Sequence, residues 1–80
     1  MRKRQKYRPG KCVAIDVDGT LLIKGRLNER LAEWAAERKA EGFEVLLWSA
    51  RGRGHAEKVA RHFGIEDSFS AIISKPGYIV

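Results

Sequence analysis

Three short apolar runs, Cys12-Val13-Ala14-Ile15, Phe43 to Trp48 and Ser70-Ala71-Ile72-Ile73, alternate with two stretches of helical periodicity, and that order leaves few folds open. The first run has β-branched members and is too short for a helix, so it reads as a buried strand. Asn28 is a good helix N-cap, and behind it Leu27, Leu31, Trp34 and Ala35 recur at helical spacing. Glu29, Glu33, Glu37 and Glu41 repeat on another face, and Gly42 stops the helix. Ala56, Val59, Ala60 and Phe63 give the apolar side of a second helix, stopped by Gly64. Lys75-Pro76-Gly77 is a turn, and Tyr78-Ile79-Val80 reads as the start of a fourth strand. Leu21 to Arg26 reads as a small hairpin or an irregular flap. Strand, helix, strand, helix, strand predicts an α/β fold: a three-to-four-stranded parallel sheet with right-handed crossovers, flanked by helices. In such sheets ligands sit at the carboxyl ends of the strands. Asp16, Ser49 and Lys75 lie at or just beyond three such ends.

Composition narrows the function classes. Eighty residues make one domain with a modest core. No apolar run approaches a membrane span, and no apolar block follows the basic N-terminus as a secretory signal requires. The single cysteine, Cys12, rules out an internal disulfide and a cysteine-based zinc cluster, and reads as a small buried hydrophobe. These features predict a cytoplasmic protein. The net charge of +6 is concentrated: Arg2, Lys3, Arg4, Lys6, Arg8 and Lys11 form a basic arm over 1–11, ahead of a formally neutral single domain over 12–80. Two readings of the arm stand open, a solvated tail or a contact for nucleic acid phosphates. Tyr7 within it is one aromatic that can stack on a base.

The sharpest chemistry lies at Asp16-Val17-Asp18-Gly19-Thr20, where the first strand gives way to a loop. Side chains two apart in extended backbone point the same way, so both carboxylates can face one site. Two such carboxylates can hold a hard cation such as Mg2+. One can attack phosphorus, and the other can protonate the leaving oxygen and later deprotonate water. Gly19 permits a tight turn that brings backbone amides toward phosphate oxygens. A calcium loop starting at Asp16 would need glycine and glutamate where the chain has Leu21 and Leu27, so that reading fails. A structural turn with capping aspartates is the remaining alternative for the pair alone.

Val13-Ala14-Ile15-Asp16-Val17-Asp18-Gly19-Thr20-Leu21-Leu22 resembles the first motif of the haloacid dehalogenase-like superfamily of phosphohydrolases. The second motif of that family, a Ser or Thr ending the next strand, is matched by Ser49 after Val45-Leu46-Leu47-Trp48. The third, a lysine often followed by proline, is matched by Lys75-Pro76. The resemblance spans residues 12–80 and implies a small Rossmann-like, three-layer fold. It implies Mg2+-dependent phosphomonoester hydrolysis, with Asp16 as nucleophile and Asp18 as general acid/base, both at the metal. Ser49 would hydrogen-bond a phosphoryl oxygen, and Lys75 would steady charge on the nucleophile and phosphate. Gly19, Thr20, Ala50 and Arg51 would contact the phosphorylated substrate. Trp48-Ser49-Ala50-Arg51 is similar to the second-motif region of polynucleotide 3′-phosphatase-type members, which points to nucleotide or nucleic acid end phosphates.

The chain also departs from that pattern. The acids of the fourth motif would follow the fourth strand, and the chain stops at Val80. The alternative is therefore a non-catalytic or truncated domain of this fold that binds nucleic acid or a protein. The unprotected edge of the sheet suits self-association. There is no room between the first motif and the first helix for a cap domain, so the site is expected to be open. Arg51 and Arg53 read equally well as phosphate contacts or as solvated loop charges. His55 and His62 share a helix face and read as surface residues, and Trp34 and Trp48 read as core aromatics.

Overall fold

A computed structural model describes residues 10–80; the arm residues Arg2 to Arg8, Tyr7 among them, lie outside the described residues. The elements follow the predicted order. Strand β1 (Cys12–Asp16) leads into a hairpin of β2 (Leu22–Ile23) and β3 (Arg26–Leu27), then helix α1 (Glu29–Ala40). Strand β4 (Glu44–Ser49), helix α2 (Arg53–His62), a single 3-10 turn (Glu66–Ser68) and strand β5 (Ala71–Ser74) complete it. The sheet is parallel, with β4 in the centre between β1 and β5.

Local chemistry explains the joints. The Asn28 side chain accepts from the Leu31 N–H at 3.2 Å and caps α1. The glutamates at 29, 33, 37 and 41 all face solvent. The hairpin turns on Lys24 and Gly25, both at positive φ (51° and 76°), the two-residue geometry that suits a tight antiparallel pair.

Both helices pack on the same face of the sheet. Ile15 of β1 and Val45 and Leu47 of β4 share one core with Ala32 and Ala35 of α1 and with Ala56, Val59 and Ala60 of α2. Two successive crossovers in one direction across a sheet, each right-handed, have to put their helices on one side. The described residues therefore form two layers, which corrects the three-layer expectation. The opposite face carries Cys12, Ala14, Leu46, Trp48 and Ile73, and none of these belongs to the core cluster.

That one-sidedness corrects two further readings, and the reading of Trp34 as a core aromatic is corrected as well. Cys12 is exposed, because it lies on the uncovered face near the open end of β1. Trp48 is half-buried on the same uncovered face and is not a core residue. Trp34 is exposed, with the Arg38 guanidinium over its ring at 5.3 Å. Among the described residues the sheet has three strands, and Tyr78 to Val80 form no fourth. Beyond Ser74 the chain meets Pro76, which has no N–H to donate, and Tyr78, Ile79 and Val80 are exposed. No helix among the described residues is long and apolar enough to cross a membrane.

Candidate functional site

Asp16 and Ser49 are the last residues of β1 and β4, and Lys75 follows the last residue of β5. Parallel pairing puts these three ends on one rim. Asp16 is in register with Trp48, and Ser49 with Ser74. The Lys75 N–H donates to the Ser49 carbonyl at 3.0 Å, which extends the ladder by one step past β5. From there the lysine side chain crosses the end of β4, and its Nζ lies 3.5 Å from Asp16 Oδ1. Both side chains are about two-fifths exposed (43% and 41%), so the pair contributes little to stability. What it does is set a cation beside the carboxylate at the strand end.

Ser49 is buried at 2% exposure, and its hydroxyl oxygen accepts from the Arg51 N–H at 3.0 Å. Its carbonyl accepts from both Gly52 and Lys75, each at 3.0 Å. The loop after β4 is thereby folded back over the strand end, and it carries Ala50 and Arg51 out to the exposed rim. Arg51 Nη1 lies 3.7 Å from Asp18 Oδ1.

Asp18 stands on a tight turn between β1 and β2. Leu21 donates to the Asp16 carbonyl and Leu22 to the Val17 carbonyl, at 3.1 and 2.8 Å. Gly19, at φ 82°, donates its N–H to Leu22 at 2.8 Å, and Thr20 donates to Val17 at 3.3 Å. The amides of Gly19 and Thr20 are thus engaged inside the turn. These two residues shape the loop, and any substrate contact from them has to come through other atoms.

Two features of the site escaped the sequence reading. His55, expected on the surface, has its side chain only 19% exposed, and its Nε2 lies 3.4 and 3.3 Å from the two oxygens of Asp18. Ser74 accepts from the Arg53 N–H at 2.9 Å, so a hydroxyl at the end of β5 satisfies the first turn of α2. Gly52, which precedes the helix, has no side chain to do this. His62 is exposed, as expected, with its ring edge-on to Phe63.

Beside Asp18, Leu22, Gly25, His55, Lys58, Val59, His62 and Phe63 line an apolar cleft of about 250 Å³ between the hairpin and α2. A larger, shallower hollow of about 740 Å³ runs along Ile23 to Arg30 and contains none of Asp16, Asp18, Ser49 and Lys75. Among the described residues no group of three or more His, Cys, Asp or Glu side chains is placed to hold a metal ion.

No protein-family model, curated protein or solved structure matches this chain significantly.

Proposed function

We propose that this chain is a phosphomonoester hydrolase that works through an aspartyl-phosphate on Asp16. The observation that carries the reading is the reach of Lys75 Nζ to 3.5 Å from Asp16 Oδ1, across the end of the strand that carries Ser49. A carboxylate and a cation from two strand ends then meet beside the end of the strand that carries Ser49, which suits an anion that gains charge during reaction. Asp16 attacks phosphorus, and the bond from phosphorus to the leaving oxygen breaks. Asp18 gives that oxygen its proton. Asp18 then takes a proton from water as the water oxygen attacks the same phosphorus, which frees inorganic phosphate and restores the Asp16 carboxylate. Ser49 and Lys75 hold the phosphoryl oxygens and balance the charge.

Asp16 and Asp18 are the residues that would hold Mg2+. Asp16 would do so as a carboxylate, with water and substrate oxygens completing an ordinary set for that ion, and Asp18 only once it has given up its proton. When bound, Mg2+ offsets the negative charge that keeps a carboxylate from approaching a phosphate. The exposed rim with Arg51 and Arg53 favours a phosphate that protrudes from a larger molecule, a nucleotide or a nucleic acid end.

The test is phosphate release from p-nitrophenyl phosphate and from a 3′-phosphorylated oligonucleotide, with Mg2+ or EDTA, for the wild type and Asp16→Asn. Release is expected to need both Mg2+ and Asp16, and to be faster on the oligonucleotide. Undiminished release by Asp16→Asn would overturn the nucleophile assignment. No release by the folded wild type would shift the reading to a binding module.

A further inference from the structure

Three features stand outside the chemistry above: the uncovered sheet face around Leu46 and Trp48, the hollow along Ile23 to Arg30, and the contact between α2 and Asp18. The first two show nothing of what would cover them. The third has geometry that acts on chemistry. Resting on the hydrolase reading above, we propose that His55 is a positioning residue that aims the Asp18 carboxyl at the leaving oxygen.

Asp18 needs such a partner. Its side chain is 45% exposed on a short turn, and among the described residues no backbone N–H donates to its carboxyl group. A general acid has to present its proton within hydrogen-bond reach of one particular oxygen. Among the described residues two groups approach Asp18. Arg51 reaches it at 3.7 Å from a long side chain that is itself 68% exposed, too far and too loosely held to orient it. His55 is shorter, mostly buried, and within 3.4 Å of both oxygens.

The footing of His55 is rigid. The next residue, Ala56, is fully buried, and Val59 and Ala60 anchor the same helix in the core. The first turn of α2 is tied to β5 through Arg53 and Ser74. The imidazole is thus fixed to the frame that also carries Ser49 and Lys75. With one carboxyl oxygen accepting from Nε2–H, the other is left to carry the proton toward the substrate. His55 does not touch the reacting atoms; it acts through Asp18.

The experiment compares two substrates on the full chain. Ethyl phosphate has a leaving group that needs a proton, and 2,4-dinitrophenyl phosphate has one that does not. For His55→Ala, kcat on ethyl phosphate should fall about 10- to 100-fold, part of the 10²–10⁴ that general acid catalysis supplies. KM should hold, and kcat on dinitrophenyl phosphate should stay within about 2-fold. His55→Gln keeps a donor at the corresponding reach and should recover much of the loss. Equal loss on both substrates, or a rise in KM alone, would overturn the positioning role.

A second readout needs no turnover: the His55 Nε2 resonance should move in folded Asp18→Asn, and an unmoved resonance would refute the contact. If the wild type shows no Asp16-dependent release from either substrate, the hydrolase reading falls and takes the general-acid role with it. A selective failure in His55→Ala and His55→Gln leaves that reading standing.

Discussion

Leu47 and Leu46 are neighbours on the central strand, and replacing each by alanine should give very different results. Leu47 is fully buried at the middle of β4, paired with Ile15 on one side and Ile72 on the other, beneath both helices. Truncating a buried leucine costs about 2–5 kcal/mol, from lost transfer energy and the cavity left behind. A chain of this size has about 4–12 kcal/mol of stability in total. Leu47→Ala should therefore remove a large share of it, about 3 kcal/mol. With a urea dependence of about 1 kcal/mol per molar, the unfolding midpoint would drop by about 3 M. Leu46 points to the uncovered face and is half-buried. Leu46→Ala should cost about 1 kcal/mol or less. Urea unfolding followed by circular dichroism measures both. Equal losses in the two variants would refute the one-sided core, since they would mean that something covers the second face.

Other expectations concern the site. Lys75→Met should cut phosphate release by about 100-fold or more, on the scale of removing one oxyanion donor. Its melting temperature should barely change, because the pair with Asp16 is half exposed. Gly19→Ala should cost about 1–2 kcal/mol in urea unfolding, all of it from backbone conformation, because φ is 82° and a Cβ there would meet no atom within 4 Å. Unchanged stability in that variant would show that the Asp16 to Leu22 turn is not held in this shape.

The sequence was most informative where periodicity decides the outcome. Helical spacing located α1 and α2, and apolar runs located β1, β4 and β5. Asp16, Ser49 and Lys75 were legible as strand-end residues because parallel strands have to bring those ends together. Periodicity also separates the two faces of a strand, but it does not say which one a helix will cover. That is why Cys12 and Trp48 were misread; Trp34 sits beside the buried stripe of α1 that Ala32 and Ala35 form. Tyr78-Ile79-Val80 has strand composition, but pairing depends on a neighbour, and none stands beside it among the described residues. His55 was missed for a different reason: its contact with Asp18 depends on where the first turn of α2 is pinned, and the hydroxyl that pins it belongs to Ser74, far along the chain.

The carbonyl of Ser49, which accepts from both Gly52 and Lys75, has a consequence for dynamics. The loop that displays Arg51 and the segment that delivers Lys75 hang from one oxygen atom. Fraying at the end of β5 breaks one of those bonds, and it also withdraws the Ser74 hydroxyl from α2. The cation opposite Asp16 and the footing of His55 then loosen in the same event. Amide exchange at Arg53 and Lys75 should report one shared opening rate, with these two rim contacts made and lost together while the core beneath stays closed.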